Sequence, residues 1–180
     1  SRKFGYANFN DFKFDIVLKL RDMKMPNVEL KENDSSLECI NKTTQLYENI
    51  IERTKNNLSL TQYDQMIKEL DECEGIDIIA TDMNSDIAHY AEHILTPVGK
   101  FVHVYNNQDL QVLASLNVPK SHVVILISKT GVKRHILDNA RILHKRGIHT
   151  IVLTPDDKGL LAKYCTYPIK VESSQQFAKL

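Results

Sequence analysis

Long hydrophobic runs are missing from this chain of 180 residues. A bilayer span needs roughly 20 consecutive apolar residues, and no stretch approaches that, so neither a membrane segment nor a secretory leader is expected. An excess of one charge is missing too. Twenty-three basic residues are balanced by 23 acidic ones, so no global field draws the chain to nucleic acid. Cysteine is sparse: Cys39, Cys73 and Cys165 form an odd, scattered set with no C-x-x-C pair. That argues against a disulfide framework and fits a reducing, cytoplasmic setting. There is no internal repeat, no low-complexity segment, no G-x-x-x-x-G-K-[ST] or G-x-G-x-x-G phosphate loop, and no arrangement resembling a Ser-His-Asp or Cys-His nucleophile. What remains is a length sufficient for one ordinary domain with a real core.

The chain is organised around the stretch from Val123 to Pro155. Val123-Val124-Ile125-Leu126-Ile127 is an unbroken apolar run of the kind buried on both faces of a parallel sheet. A polar turn, Ser128-Lys129-Thr130-Gly131, follows. Ile136, Leu137, Ala140 and Leu143 then recur with helical spacing, stopped by Gly147 as a C′ residue. Thr150-Ile151-Val152-Leu153 closes a strand–helix–strand crossover.

The turn joins the carboxyl end of a strand to the amino end of a helix, where free N–H groups and the helix dipole favour an anion. Ser128 and Thr130 add hydroxyls, Gly131 permits close backbone approach, and Lys129, Lys133 and Arg134 bring cations nearby. A phosphate fits these properties. Simple helix capping by Ser and Thr explains the same residues.

The series Ile127-Ser128-Lys129-Thr130-Gly131, then a helix and a strand ending in Thr154, resembles the phosphosugar-binding loop of SIS (sugar isomerase) domains, whose pattern is a strand, S-x-S-G-x-T/S and a helix. Ser128, Thr130 and Gly131 fit, while Lys133 stands where that family usually has Thr or Ser. Val104-Tyr105-Asn106-Asn107-Gln108-Asp109-Leu110-Gln111 is similar to the segment before that strand in RpiR-type bacterial regulators, and Gly159-Leu160-Leu161-Ala162-Lys163-Tyr164 to a later helix of the family. The resemblance covers roughly Ile76 to Val171. It implies a phosphosugar held by Asn84, Ser85, Ser128, Lys129, Thr130, Gly131 and Lys133. One departure matters. The family's first loop is G-x-G-x-S, and the matching residues here are Thr81-Asp82-Met83-Asn84-Ser85, so the serine survives and both glycines are gone. Side chains at Thr81 and Met83, with a carboxylate at Asp82, put an altered or lost ligand site in play.

At the start of the chain, Lys3, Phe4, Gly5, Tyr6, Phe9, Asp11, Phe12 and Lys13 fall on the pattern that ends the helix-turn-helix domain of RpiR-type regulators. The expected division is therefore a remnant of a DNA-binding domain at residues 1–25, a linker at 26–34 and a SIS domain at 35–180 whose last helix, near Gln175 to Leu180, is cut short. Two helices should precede the sheet. Ser35 to Asn56 carries a stripe of Leu37, Ile40, Leu46, Tyr47, Ile50 and Ile51. Ser59-Leu60-Thr61-Gln62 opens the next as a capping box, with Leu60, Tyr63, Ile67 and Leu70 on one face. Strands are expected at Ile76 to Thr81, Phe101 to Val104, Val123 to Ile127, Thr150 to Leu153 and Tyr167 to Val171. The intervening helices are expected at Ser85 to Leu95 (burying Ile87, Ala91, Ile94 and Leu95), Asp109 to Leu116, the crossover just described, and Leu160 to Tyr164. The fold class is α/β: a doubly wound, flavodoxin-like, five-stranded parallel sheet flanked by helices and preceded by N-terminal helices.

Other candidates carry less. His89 and His93 share a helical face but lack a third ligand, so no metal is expected. His135 lies in the first turn after the loop and could act as a base near neutral pH. Asp156-Asp157 could touch sugar hydroxyls or simply form a turn. The expected function is effector sensing without catalysis: a phosphorylated sugar or sugar acid binds, no cofactor is needed, the chain self-associates as a dimer or tetramer, and DNA is read by an N-terminal domain. The alternatives are a phosphosugar isomerase, with His135 as its one base, and a degenerate scaffold that only dimerises.

Overall fold

The computed structural model describes residues 28–172. The expected helix-turn-helix remnant at residues 1–25 and the helix expected at 175–180 lie outside the described residues. Those that are described fall into two units, one holding residues 28–56 with Glu172, the other residues 57–171.

In the first unit, helix α1 spans Ser36–Asn57. Its start is a reciprocal capping box: Ser35 Oγ accepts from the Glu38 N–H at 3.3 Å and Glu38 Oε2 accepts from the Ser35 N–H at 2.7 Å. Asp34 anchors the entry, accepting from Lys42 Nζ at 2.6 Å and from the Lys31 N–H at 2.7 Å. No residue of α1 is buried, and its expected stripe leaves Leu37, Ile40, Tyr47 and Ile51 exposed.

The second unit is the α/β body. Its elements are α2 (Leu60–Glu72), β1 (Gly75–Ile79), α3 (Met83–Leu95), β2 (Phe101–Tyr105), α4 (Gln108–Asn117), β3 (His122–Ile127), α5 (Arg134–Arg146), β4 (His149–Thr154), a 3-10 turn (Ala162–Tyr164) and β5 (Tyr167–Lys170). The five strands form one parallel sheet in the order β2-β1-β3-β4-β5. The sheet is doubly wound as expected. Every residue of β1 is buried, and β3 and β4 are buried over most of their length, which explains why β3 in particular reads as a continuous apolar run.

Side chains alternate between the two sheet faces. Ile79, Val124, Leu126 and Val152 pack with Val118 at the end of α4 and with Ile136, Ala140 and Leu143 of α5. On the opposite face Ile76, Ile78, Val102 and Ile127 pack with Ala88 of α3, while Val123, Ile151 and Tyr167 pack with Met66 of α2. Gly147 ends α5 in the left-handed region, φ 69°, as its expected role as a C′ residue requires.

Three details differ from expectation. Ser59 does cap α2, accepting from the Gln62 N–H at 3.5 Å, but Leu60, Tyr63 and Ile67 face outward. Leu70 meets the sheet as expected, joined by Met66 one turn earlier. In α3 the expected core residues Ile87 and Ile94 are exposed. The inward face is Ala88, Ala91 and Leu95, whose small members let the helix lie close to the strands. The helix expected at Leu160 to Tyr164 is the short 3-10 turn.

One polar residue breaks the apolar run of β1. Asp77, 4% exposed, accepts from His122 Nδ1 on β3 at 2.7 Å. Burial, with the Asp77 carboxylate beside it, pushes the Tyr105 phenol up to about 12.

Leu143 is fully buried between α5 and the sheet. Leu143→Ala should lower unfolding free energy in urea by about 2–5 kcal/mol, whereas Leu113→Ala, at an exposed position of α4, should change it by no more than about 0.5 kcal/mol.

Candidate functional site

Strand order locates the site. β1 runs through α3 to β2 on one side, and β3 runs through α5 to β4 on the other. The crossovers diverge between β1 and β3, and beyond the carboxyl ends of these neighbours is where open α/β sheets of this kind bind ligands. Two loops form the rim there: 80–82 after β1 and 128–133 after β3.

The first loop is pinned from behind. Gln111, fully buried on α4, donates Nε2 to the carbonyls of Ala80 at 3.0 Å and Tyr105 at 2.8 Å. The chain then turns through Asp82 at φ 55°, ψ −137°, a conformation normally left to glycine and costing about 1–3 kcal/mol. The unusual backbone therefore falls on Asp82, between the two positions where glycines were missed. Thr81 is buried and Met83 exposed, and neither has a positive φ. Asp82 sits at the N-cap of α3, yet its carboxylate caps nothing in that helix. Its carbonyl instead accepts from the Ser85 hydroxyl and from the Ser85 N–H at 3.0 Å, and the Asn84 N–H reaches the Thr81 carbonyl at 3.1 Å.

The second loop is built on Ser128, 2% exposed. Its N–H donates to the Leu153 carbonyl at 3.0 Å, tying the loop to β4, and its Oγ accepts from the Gly131 N–H at 3.1 Å. Gly131 turns at φ 67°, and a Cβ there would lie 3.0 Å from Thr154 Oγ1. Thr130 Oγ1 accepts from the Val132 N–H at 3.5 Å. Lys133 is the N-cap of α5, and no side chain caps that helix, so its first N–H groups are available to an anion.

Lys133 joins the loops. Its Nζ forms a salt bridge with the Asp82 carboxylate and lies 3.4 Å from Thr81 Oγ1. The Lys133 hydrogen bond, reinforced by its charge, holds the Asp82 carboxyl below the usual carboxylate range, and His135 adds a smaller pull the same way. Among the sequence-derived candidates, Lys133 thus reaches the other loop at Asp82, whose carbonyl holds Ser85, while Ser128 and Gly131 are bonded to each other within their own loop. Lys129 and Thr130 are exposed on the outer rim. His135 has a buried Nε2 without a hydrogen-bond partner. Asp156 Oδ1 accepts from the Lys158 N–H at 3.1 Å, the turn-forming role. His89 Nδ1 lies 3.0 Å from Glu92, and among the described residues no three His, Cys, Asp or Glu side chains are arranged to hold a metal. Sequence reasoning missed Gln111 and Thr154. Gln111 shares its buried face of α4 with Ser115 while the leucines of that helix are exposed, so no apolar pattern marks it, and Thr154 is marked only as a strand end.

The sequence matches the SIS domain family over residues 69–179. This chain belongs to that family. An uncharacterised HTH-type transcriptional regulator of Haemophilus influenzae is 23% identical over 171 residues, covering 92% of this chain and 59% of that protein. The chain thus spans under two thirds of such relatives. The Vibrio vulnificus NanR protein, solved in complex with ManNAc-6P, superposes with a TM-score of 0.71 at 16% identity, over 96% of this chain and 60% of that one. The sugar isomerase domain of the RpiR transcription factor from Sphaerobacter thermophilus gives 0.65 at 16% identity, over 73% and 75%. Proteins described as phosphosugar isomerases share the fold. This SIS domain therefore resembles the sugar-binding domains of RpiR-type regulators. Among the described residues no helix is long and apolar enough to cross a membrane.

Gly131→Ala meets both the positive φ and the Thr154 hydroxyl. It should destabilise the fold by about 1–2 kcal/mol in urea unfolding.

Proposed function

We propose that this SIS domain is the effector-sensing part of a cytoplasmic DNA-binding regulator of carbohydrate metabolism, and that a phosphorylated sugar binds beyond the carboxyl ends of β1 and β3. The observation that carries the reading is the uncapped N-terminus of α5 with Lys133 at its cap, set at the switch point of the sheet. The phosphate sits on the α5 N–H groups and Lys133. Lys129 and Thr130 approach it from the rim, Ser128 and Gly131 hold the loop from below, and Asn84 and Ser85 face the sugar from the α3 side. NanR, the similar regulator solved with ManNAc-6P, supports a phosphosugar as the ligand class, and the HTH-type relatives support a DNA-reading domain of which residues 1–25 are the remnant, followed by a linker at 26–34.

The role is sensing without turnover. Ligand binding shifts the balance between two arrangements of a homo-oligomer, and so alters DNA binding. The exposed Leu60, Tyr63 and Ile67 of α2 and Ile87, Tyr90 and Ile94 of α3 are the surface that favours self-association. A second reading has its own observation. The phosphate-binding lysine is already engaged by Asp82, as it would be in a SIS domain kept only as a dimerisation scaffold.

A thermal-shift screen against phosphorylated sugars and sugar acids, with the free sugars as controls, separates the two. Ligand at a hundred times its Kd should stabilise the fold by about 2.7 kcal/mol, and Ser128→Ala should abolish the shift while circular dichroism still reports a folded chain. A flat response to every compound favours the scaffold, and release of an isomerised product contradicts sensing without turnover.

A further inference from the structure

Asp82 combines three features that are hard to reconcile with a passive loop residue. Its backbone, φ 55° and ψ −137°, lies where glycine is the comfortable choice. Its carboxylate neglects the helix it precedes, although an N-cap aspartate normally accepts from that helix's own N–H groups. It reaches instead to Lys133, on the loop after β3, whose Nζ also touches Thr81. A strained acid has thus been placed on the cation that caps the anion-accepting helix. If only a tie between loops were needed, an uncharged hydrogen bond would supply it without setting an anion at an anion site.

We propose that Asp82 is an internal competitor for the phosphate, occupying Lys133 in the unliganded chain and being displaced when a phosphorylated ligand binds. This rests on the ligand site of the preceding subsection and adds its regulation. Exposure makes the exchange feasible. The Asp82 side chain is 69% exposed and that of Lys133 37%, so the released carboxylate passes into water and leaves no buried charge behind. By contrast, Asp77 and His122 are 6% and 17% exposed, and freeing that acid would strand a charge in the sheet. The competitor also sets a threshold of ligand chemistry. A phosphate monoester, near −2 at neutral pH with three acceptor oxygens, outcompetes a carboxylate for Lys133 and the α5 N–H groups together. A sugar acid with a single carboxylate offers only what Asp82 already supplies. The site therefore takes phosphate dianions and rejects carboxylate monoanions.

Calorimetric titration at fixed ionic strength tests this with inorganic phosphate and ManNAc-6P as probes. Asp82→Asn, which removes the charge and keeps the size, should tighten phosphate binding about tenfold, within the usual range of coupling between competing ligands. Asp82→Gly should do the same and melt no lower than the parent chain, because it also releases the backbone. Adding Lys133→Met to Asp82→Asn should erase the gain. Equal affinity in the parent and Asp82→Asn, or a gain that survives Lys133→Met, would overturn the competitor while leaving the sensor reading intact. If neither probe binds the parent or any Asp82 variant, the anion site itself fails and the competitor with it.

Discussion

β1 and β3 lie side by side at the centre of the sheet, and the chain leaves them in opposite directions. That adjacency shapes everything at the ligand edge. Had both crossovers turned the same way, the helix following one strand would lie over the end of the next. Because they diverge, the loop entering α3 and the loop entering α5 are neighbours at the carboxyl edge, joined by Lys133 with Asp82. Buried aliphatic strands fix the two carboxyl ends in register, Ile79 beside Leu126. Lys133 can then span the two loops with a single side chain, since the backbone has already brought them close.

The polar groups of the body separate by position along the strands. Asp77 and His122 at 2.7 Å, and Glu69 with His149 and Tyr167 at 2.5 Å each, tie strands and helices together. Glu69, first through its hydrogen bond, pushes the Tyr167 phenol up to about 12. Gln111 does the same for the backbone behind the first loop. The first set lies at the amino ends of the strands, Gln111 at the carboxyl edge, and the ion pair at that edge is Asp82 with Lys133. At the proposed site an exposed ion pair could exchange partners without any change in the sheet.

Most of the fold was legible because its grammar is local. Apolar runs such as Val123 to Ile127 are unmistakable as buried parallel strands, and Gly147 marks a helix end for a steric reason. The helix faces were harder. In α2 and α3 the expected stripes were half right: Leu70, Ala91 and Leu95 do meet the sheet, but Leu60, Ile67, Ile87 and Ile94 point away from it and Met66 and Ala88 take their place. The choice between faces depends on what each helix packs against, which no single segment contains. At the candidate site, Ser128, Gly131 and Lys133 could be grouped from their order along one loop. Their tie to Asp82 was not, because Lys133 and Asp82 are 51 positions apart. The substituted glycines drew attention to Thr81 and Met83, whereas the turn places its strain on the residue between them. Backbone dihedrals at a tight turn are a property of the assembled loop and are not readable from residue type alone.

The most direct measurement is a backbone amide NMR titration of the intact chain with a phosphosugar that raises its melting temperature. The account predicts the largest shifts at the amides of Gly131 and Arg134 to Ile136, with smaller ones from Thr81 to Ser85, and little change at Phe101 or His122 at the far end of the strands. Shifts concentrated around Phe101, His103 and His122, with the loop after β3 unmoved, would contradict it and put the ligand at the opposite edge of the sheet.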